Sequence, residues 1–177
     1  MKVRLSLRVL AACAALAVSA GLAVPAQSAP AAKPCTAPLF RQFDFWIGRW
    51  RVTDSATKKF DGTNDVTREL GGCVLQEHWS GTGGSSGTSY NLYDASRKRW
   101  HQTWVDNAGG ILQLDGGLKN GSMVLQGARP GRGGKTVLDR ITWTPRPDGS
   151  VRQWWQASHD GGATWTTQFD GLYRRAG

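Results

Sequence analysis

The sequence predicts an all-β fold, an antiparallel meander of about ten strands closed into a barrel. Three observations predict it. Short runs rich in β-branched and aromatic residues recur along the chain. Glycine-rich turns of hairpin size separate them. No long helical periodicity interrupts the alternation. The runs are Arg51–Asp54, Thr63–Leu70, Val74–Ser80, Thr88–Asp94, Arg99–Val105, Ile111–Asp115, Ser122–Ala128, Thr136–Thr144, Val151–Ser158 and Thr164–Tyr173. Between them lie Gly-Gly-Cys, Ser-Gly-Thr-Gly-Gly, Asp-Ala-Ser-Arg-Lys, Asn-Ala-Gly-Gly, Lys-Asn-Gly, Pro-Asp-Gly and Asp-Gly-Gly, where Gly, Asn and Asp supply the positive φ of tight turns. A meander of this length removes its exposed edges by closing on itself. Ten strands is the expected count, with eight as the alternative.

The N-terminus reads as a leader. MKVRLSLR is basic, VLAACAALAVSAGLAV is apolar, and PAQSAPAAK carries small residues before cleavage sites after Ala26 or Ala31. The expected division is a signal peptide over 1–31 and one barrel domain over 32–177. The apolar run is shorter than the roughly 20 residues that span a bilayer, so no stable membrane anchor is expected. Leu10-Ala11-Ala12-Cys13 has the form of a lipobox, but the apolar segment before Cys13 is too short to serve as an h-region. The expected location is periplasmic or secreted.

Charge and cysteine usage agree with export. Losing Lys2, Arg4 and Arg8 takes the basic residues from 22 to 19 against 13 acidic ones, a mature net charge near +6. No dense Lys/Arg run marks a nucleic-acid surface, so that partner is not expected; the excess fits solubility or a bias towards anionic ligands or envelope surfaces. Cys35 and Cys73 stay in the mature chain and are expected to pair in an oxidising compartment.

"FDFWIGRWRV" places Gly48-x-Trp50 at the start of the first strand, and "LYRRAG" ends the chain. In these residues the chain resembles lipocalins and their calycin relatives. The resemblance implies a lipocalin-like β-barrel in which Arg174 or Arg175 lies across Trp50 and closes one end by a cation–π contact. "FDFWIGRWRV", "GGCVLQEHWSG", "NLYDASRKRWHQTWVDNAGG" and "DGGATWTTQFDGLY" together resemble a family of uncharacterised exported bacterial proteins with such a barrel. That resemblance implies a fold and no chemistry.

Several motifs point to chemistry and are better read as turns. "SHDGGATW" matches an Asp-box through Ser158, Asp160, Gly162, Thr164 and Trp165. A propeller repeats that box in at least four blades, and this chain is too short for them; a hairpin turn is expected instead. Gly83-Gly84-Ser85-Ser86-Gly87 satisfies G-x-S-x-G, but no helix follows to form a nucleophile elbow. "GARPGRGGKT" lacks the first glycine of a P-loop and precedes a strand. His78, His101 and His159 are scattered, so no zinc site is expected; a lone strand histidine, His78 or His101, is the only haem candidate, and no cofactor is expected.

The aromatic residues remain. With period two, Leu75, Glu77 and Trp79 share a face, as do Trp100, Gln102, Trp104 and Asp106, and Val151, Gln153, Trp155 and Ala157. A dry core avoids Glu and Gln beside Trp, whereas a wet pocket uses them. Glu77, Trp79, Gln102, Trp104, Gln153 and Trp155 are therefore expected to face the interior and bind a small molecule of unknown identity, with Tyr93 and Asp106 at the mouth. A one-residue shift in register would turn these faces outward. Two other functions compete: an enzyme with Glu77 and Asp106 as acid and base, and an envelope protein-interaction module with a filled barrel.

Overall fold

The computed structural model describes residues 34–177; the leader read at 1–31 lies outside the described residues. Ten strands follow in chain order: β1 Gly48–Asp54, β2 Phe60–Glu69, β3 Val74–Gly81, β4 Ser86–Asp94, β5 Arg99–Asp106, β6 Ile111–Lys119, β7 Ser122–Pro130, β8 Thr136–Pro145, β9 Val151–Ser158 and β10 Thr166–Arg175. Each pairs antiparallel with its neighbours, and β1 pairs with β10, so the sheet is a closed barrel without edges. All ten expected runs are strands. The first begins earlier than expected, at Gly48, and the last begins at Thr166, because Thr164 and Trp165 belong to the preceding turn.

Strand register sets the faces. Leu75, Glu77 and Trp79 turn inward on β3, Trp100, Gln102 and Trp104 on β5, and Val151, Gln153 and Trp155 on β9. Their cross-strand partners are the equally inward Asn91, Ser89, Leu114, Leu112, Trp143 and Ile141.

One end of the barrel is plugged by the chain itself. Residues ahead of β1 fold into two short 3-10 turns, Pro38–Arg41 and Asp44–Trp46. Phe43 stacks on Trp46 at 5.0 Å and meets Trp100 and Trp143 edge-on at 5.7 and 5.1 Å. The Trp50 indole donates to the Trp46 carbonyl at 2.9 Å, and the Trp100 indole donates to Gln42 Oε1 at 3.1 Å. Arg175 closes this end from the last strand: its guanidinium lies 4.0 Å from the centroid of the Trp50 ring and donates to the Ile47 carbonyl at 2.6 Å. Of the two arginines the resemblance allowed, Arg175 is the lid; Arg174 pairs opposite Arg51 and is exposed. Gly48 has φ 143°, and a Cβ there would fall on the Arg175 guanidinium, so the glycine of Gly48-x-Trp50 makes room for the lid.

The Cys35–Cys73 disulfide clips the plug to the turn before β3. Arg41 reinforces the clip by donating to the carbonyls of Cys35 and Gly72, each at 2.5 Å. Reduction opens a loop of 38 residues and is expected to cost about 4 kcal/mol in the chain-entropy account. Denaturant titration with and without reductant checks this, and coincident curves would remove the disulfide from the stability of the plug.

The Asp-box is the turn between β9 and β10. Asp160 accepts from the Thr164 backbone N–H at 2.9 and 3.0 Å and from the Thr164 hydroxyl at 2.5 Å. The Gly162 N–H goes to Ser158 Oγ, at 2.8 Å, and the Trp165 indole donates to the Gly162 carbonyl at 3.0 Å. The Thr164 hydroxyl and N–H, with the Ser158 hydroxyl, hold the Asp160 carboxyl well below the usual carboxylate range. Asp160→Ala is expected to lower the melting temperature and leave ligand affinity unchanged; lost affinity at an unchanged melting temperature would assign the turn a binding role.

Candidate functional site

The other end of the barrel is open. A cavity of about 560 Å³ enters it and reaches Glu77, Gln102, Gln153 and Tyr173. Its walls are Trp79, Trp104, Trp155 and Phe169, with Leu112 and Ile141, and Asp54, Asp61, Asp106 and Asp170 also line it. The plug residues Phe43, Trp46, Trp100 and Trp143 do not line it; they lie at the closed end.

Glycines make room for the wall rings. A Cβ on Gly87 would collide with the Trp104 ring, and one on Gly62 would stand 2.9 Å from the Trp79 ring and closer still to the Ser80 carbonyl. Two indole N–H groups are engaged: Trp155 donates to Asp139 Oδ1 at 2.8 Å and Trp104 to Asp106 Oδ2 at 3.4 Å. Trp79 and Phe169 meet edge-on at 5.8 Å.

The floor is a belt of hydrogen-bonded polar side chains inside the barrel. Gln102 donates to Asn91 Oδ1 at 2.8 Å, Asn91 to Ser89 Oγ at 2.8 Å, and Ser89 to Glu77 Oε2 at 2.6 Å. From the other side Asn64 donates to Glu77 Oε1 at 2.7 Å. Asn64 also reaches the Tyr173 hydroxyl at 3.4 Å, which donates to Gln153 Oε1 at 2.5 Å. The belt crosses β5, β4, β3, β2, β10 and β9. Each buried polar group in it spends the bonds it would otherwise lose to water. One acceptor stays open: Asn64 Oδ1 is buried without a partner.

Glu77 is the centre of the belt, 4% exposed. Burial pushes its carboxyl up to about 7, with the Ser89 and Asn64 hydrogen bonds opposing. The ion pairs among the described residues use Asp44, Asp94, Asp115, Asp139 and Asp170, and none uses Glu77. Asp106 differs. The N–H groups of Gly110 and Ala108 donate to its Oδ1 at 2.8 and 2.9 Å and hold its carboxyl below the ordinary value. It caps its own turn at the rim.

The structure brings Glu77, Trp79, Gln102, Trp104, Asp106, Gln153 and Trp155 to one cavity. Tyr93 lies elsewhere. Its ring packs on Phe40 at 5.4 Å and Trp100 at 6.3 Å at the plugged end, because residues 93 and 106 sit at opposite ends of the β4–β5 hairpin. Neither His78 nor His101 lines the cavity, and His101 is engaged with Asp115 at 2.8 Å. Among the described residues no cluster of His, Cys, Asp and Glu could hold a metal ion. Sequence reasoning missed Asn64, Ser89, Asn91, Phe169 and Tyr173. Period two places Asn64 on the face of Val66, where the signal was present, whereas on β4 the inward Ser89 and Asn91 are more polar than the outward Tyr90 and Leu92, so alternation points the wrong way.

No family model matches the chain, and no curated protein matches it. The closed ten-stranded antiparallel barrel is consistent with a calycin-like architecture.

The raised carboxyl of Glu77 has a consequence for stability. The folded protein keeps this proton to about pH 7, whereas an unfolded chain releases it near pH 4.5. The folded state thus binds more protons between these values, and stability falls as pH rises through the window, by on the order of 3 kcal/mol. Glu77→Gln is expected to flatten that fall. Equilibrium unfolding of both proteins across the window checks it; an equal slope in the variant would assign the pH dependence to other groups.

Proposed function

We propose that the protein is an exported barrel that binds a small molecule in its open-ended cavity. The observation that carries this reading is the pairing of aromatic walls with a hydrogen-bonded polar floor. The walls supply apolar area, the floor fixes orientation, and the volume of about 560 Å³ suits a small ligand. Export is supported by the leader and by the Cys35–Cys73 disulfide, which persists in oxidising compartments. Among the described residues no helix is long and apolar enough to cross a membrane. Kinship with the uncharacterised exported proteins, read from the order of the shared motifs, belongs to the same proposal.

Two features favour binding over the competing readings. Paired acid–base chemistry asks for two carboxyl groups free to exchange protons, and Asp106 is committed to the N–H groups of its own turn. A protein-interaction module asks for a filled barrel, whereas this one keeps a cavity at its open end.

Native mass spectrometry of protein purified from its source envelope tests the reading. The expected result is a mature chain beginning between residues 27 and 33 and carrying a small noncovalent adduct. Trp104→Arg, which places a long charged side chain on the cavity wall, is expected to lose the adduct. A chain that retains its whole leader overturns export. An adduct-free protein, or an adduct kept by the variant, overturns binding in this cavity.

A further inference from the structure

The cavity has a charge that the whole chain does not. The sequence has 22 basic and 13 acidic residues, yet every ionisable side chain on the cavity other than the Tyr173 phenol is acidic: Asp54, Asp61, Glu77, Asp106 and Asp170. Among the described residues no Lys, Arg or His lines it. The barrel pairs its other deeply buried carboxylate with a cation: Asp139, 1% exposed, takes Arg129 at 2.7 Å. At the rim Asp170 takes Arg152 at 2.7 Å through both guanidinium donors. Glu77 is buried as deeply, and both of its oxygens are held by neutral donors, the Asn64 amide and the Ser89 hydroxyl. A carboxyl so placed is oriented to meet a positive charge that the chain itself does not bring.

The walls suit the same guest. The π faces of tryptophan attract cations, and the attraction grows when both partners leave water. Two wall indoles donate their N–H groups to carboxylates, Trp104 to Asp106 and Trp155 to Asp139, so their hydrogen-bonding edges are spent. An anion would meet five carboxyl groups and no basic side chain.

Resting on the small-molecule reading above, we propose that the cavity takes a small organic cation, its apolar body against Trp79, Trp104, Trp155 and Phe169 and its positive centre facing Glu77. The association is noncovalent. When Glu77 enters the complex as carboxylate, any proton it held passes to solvent.

The affinity then depends on pH in a stated direction. The Glu77 carboxyl sits at about 7, so a permanent cation meets a protonated partner in acid and a carboxylate above neutrality. The other groups facing the cavity are Asp54 from β1, Asp61 from β2, Asp106 from β5, and Asp170 and Tyr173 from β10. Asp54, Asp106 and Asp170 are held below the ordinary carboxylate value. Asp61 is raised by desolvation and by Asp54, and Tyr173 is raised well above 10 and stays neutral.

The test uses three probes of one shape class: benzyltrimethylammonium, its uncharged isostere neopentylbenzene, and the anion phenylacetate. Binding to the mature protein is read by tryptophan fluorescence and calorimetry. Benzyltrimethylammonium is expected to bind at least about tenfold tighter than neopentylbenzene, and to weaken about tenfold for each pH unit below 7. The uncharged probe is expected to show no such slope. Glu77→Gln is expected to weaken the cation by more than it weakens the neutral probe. The pH series on the unsubstituted protein decides the matter even where the variant folds poorly. Equal or tighter binding of the neutral or anionic probe, or cation binding that ignores pH, overturns the inference while small-molecule binding stands. Failure of all three probes overturns it as well, and an adduct-free protein in the mass measurement then overturns the broader reading separately.

Discussion

A closed sheet of ten strands encloses more volume than an eight-stranded one, whose interior is filled by its own side chains or by one small ligand. What fills that volume, and at which end, governs the rest of this structure. At one end the chain fills it with its own N-terminal segment. Phe43 and Trp46 occupy the bore, Arg175 covers Trp50, and the Cys35–Cys73 disulfide holds the segment in place. At the other end the described residues offer only the hairpin connections between strands. The cavity is the volume left by this asymmetry.

The polar belt follows from the same constraint. Between an aromatic plug and an open cavity, side chains of the middle layer have apolar neighbours on one side and open space on the other. Glu77, Asn64, Ser89, Asn91 and Gln102 resolve the conflict by bonding to one another. A half-satisfied layer would cost more than an apolar one, which makes the unpartnered Asn64 Oδ1 notable.

Much of this architecture was legible in the sequence, and the losses have physical reasons. Hairpin turns and period-two runs carry the strands because both are local. The inward faces of β3, β5 and β9 were legible because Trp alternates with Gln or Glu on one side of each. On β4 the signal runs backwards. Its inward residues are Gly87, Ser89 and Asn91, while the more apolar Tyr90 and Leu92 face outward, so hydrophobic alternation misassigns the strand. Tyr93 was misplaced for a different reason. Its place beside the Asp-Ala-Ser-Arg-Lys turn put it at the mouth, but that turn lies at the plugged end, opposite the Asn-Ala-Gly-Gly turn beside Asp106. Phe169 shares the parity of the inward Gly171 and Tyr173 on β10, so period two places it correctly; the register breaks only beyond it, between Thr167 and Phe169.

Net charge was the least informative sequence quantity, again for a physical reason. An excess of basic residues over the whole chain implies attraction for anions only where those residues act together. Surface charges are screened over about 8 Å at physiological ionic strength, while groups facing a low-dielectric cavity are screened far less. The field inside the barrel therefore depends on the carboxyl groups lining the cavity and the aromatic faces beside them, with Asp170 already paired to Arg152. Arg129 and Arg152 are bound to Asp139 and Asp170, and no ion pair among the described residues reaches Glu77. A basic protein thus encloses a cavity lined by carboxyl groups, and the sign of that cavity follows from which of them the chain neutralises and which it does not.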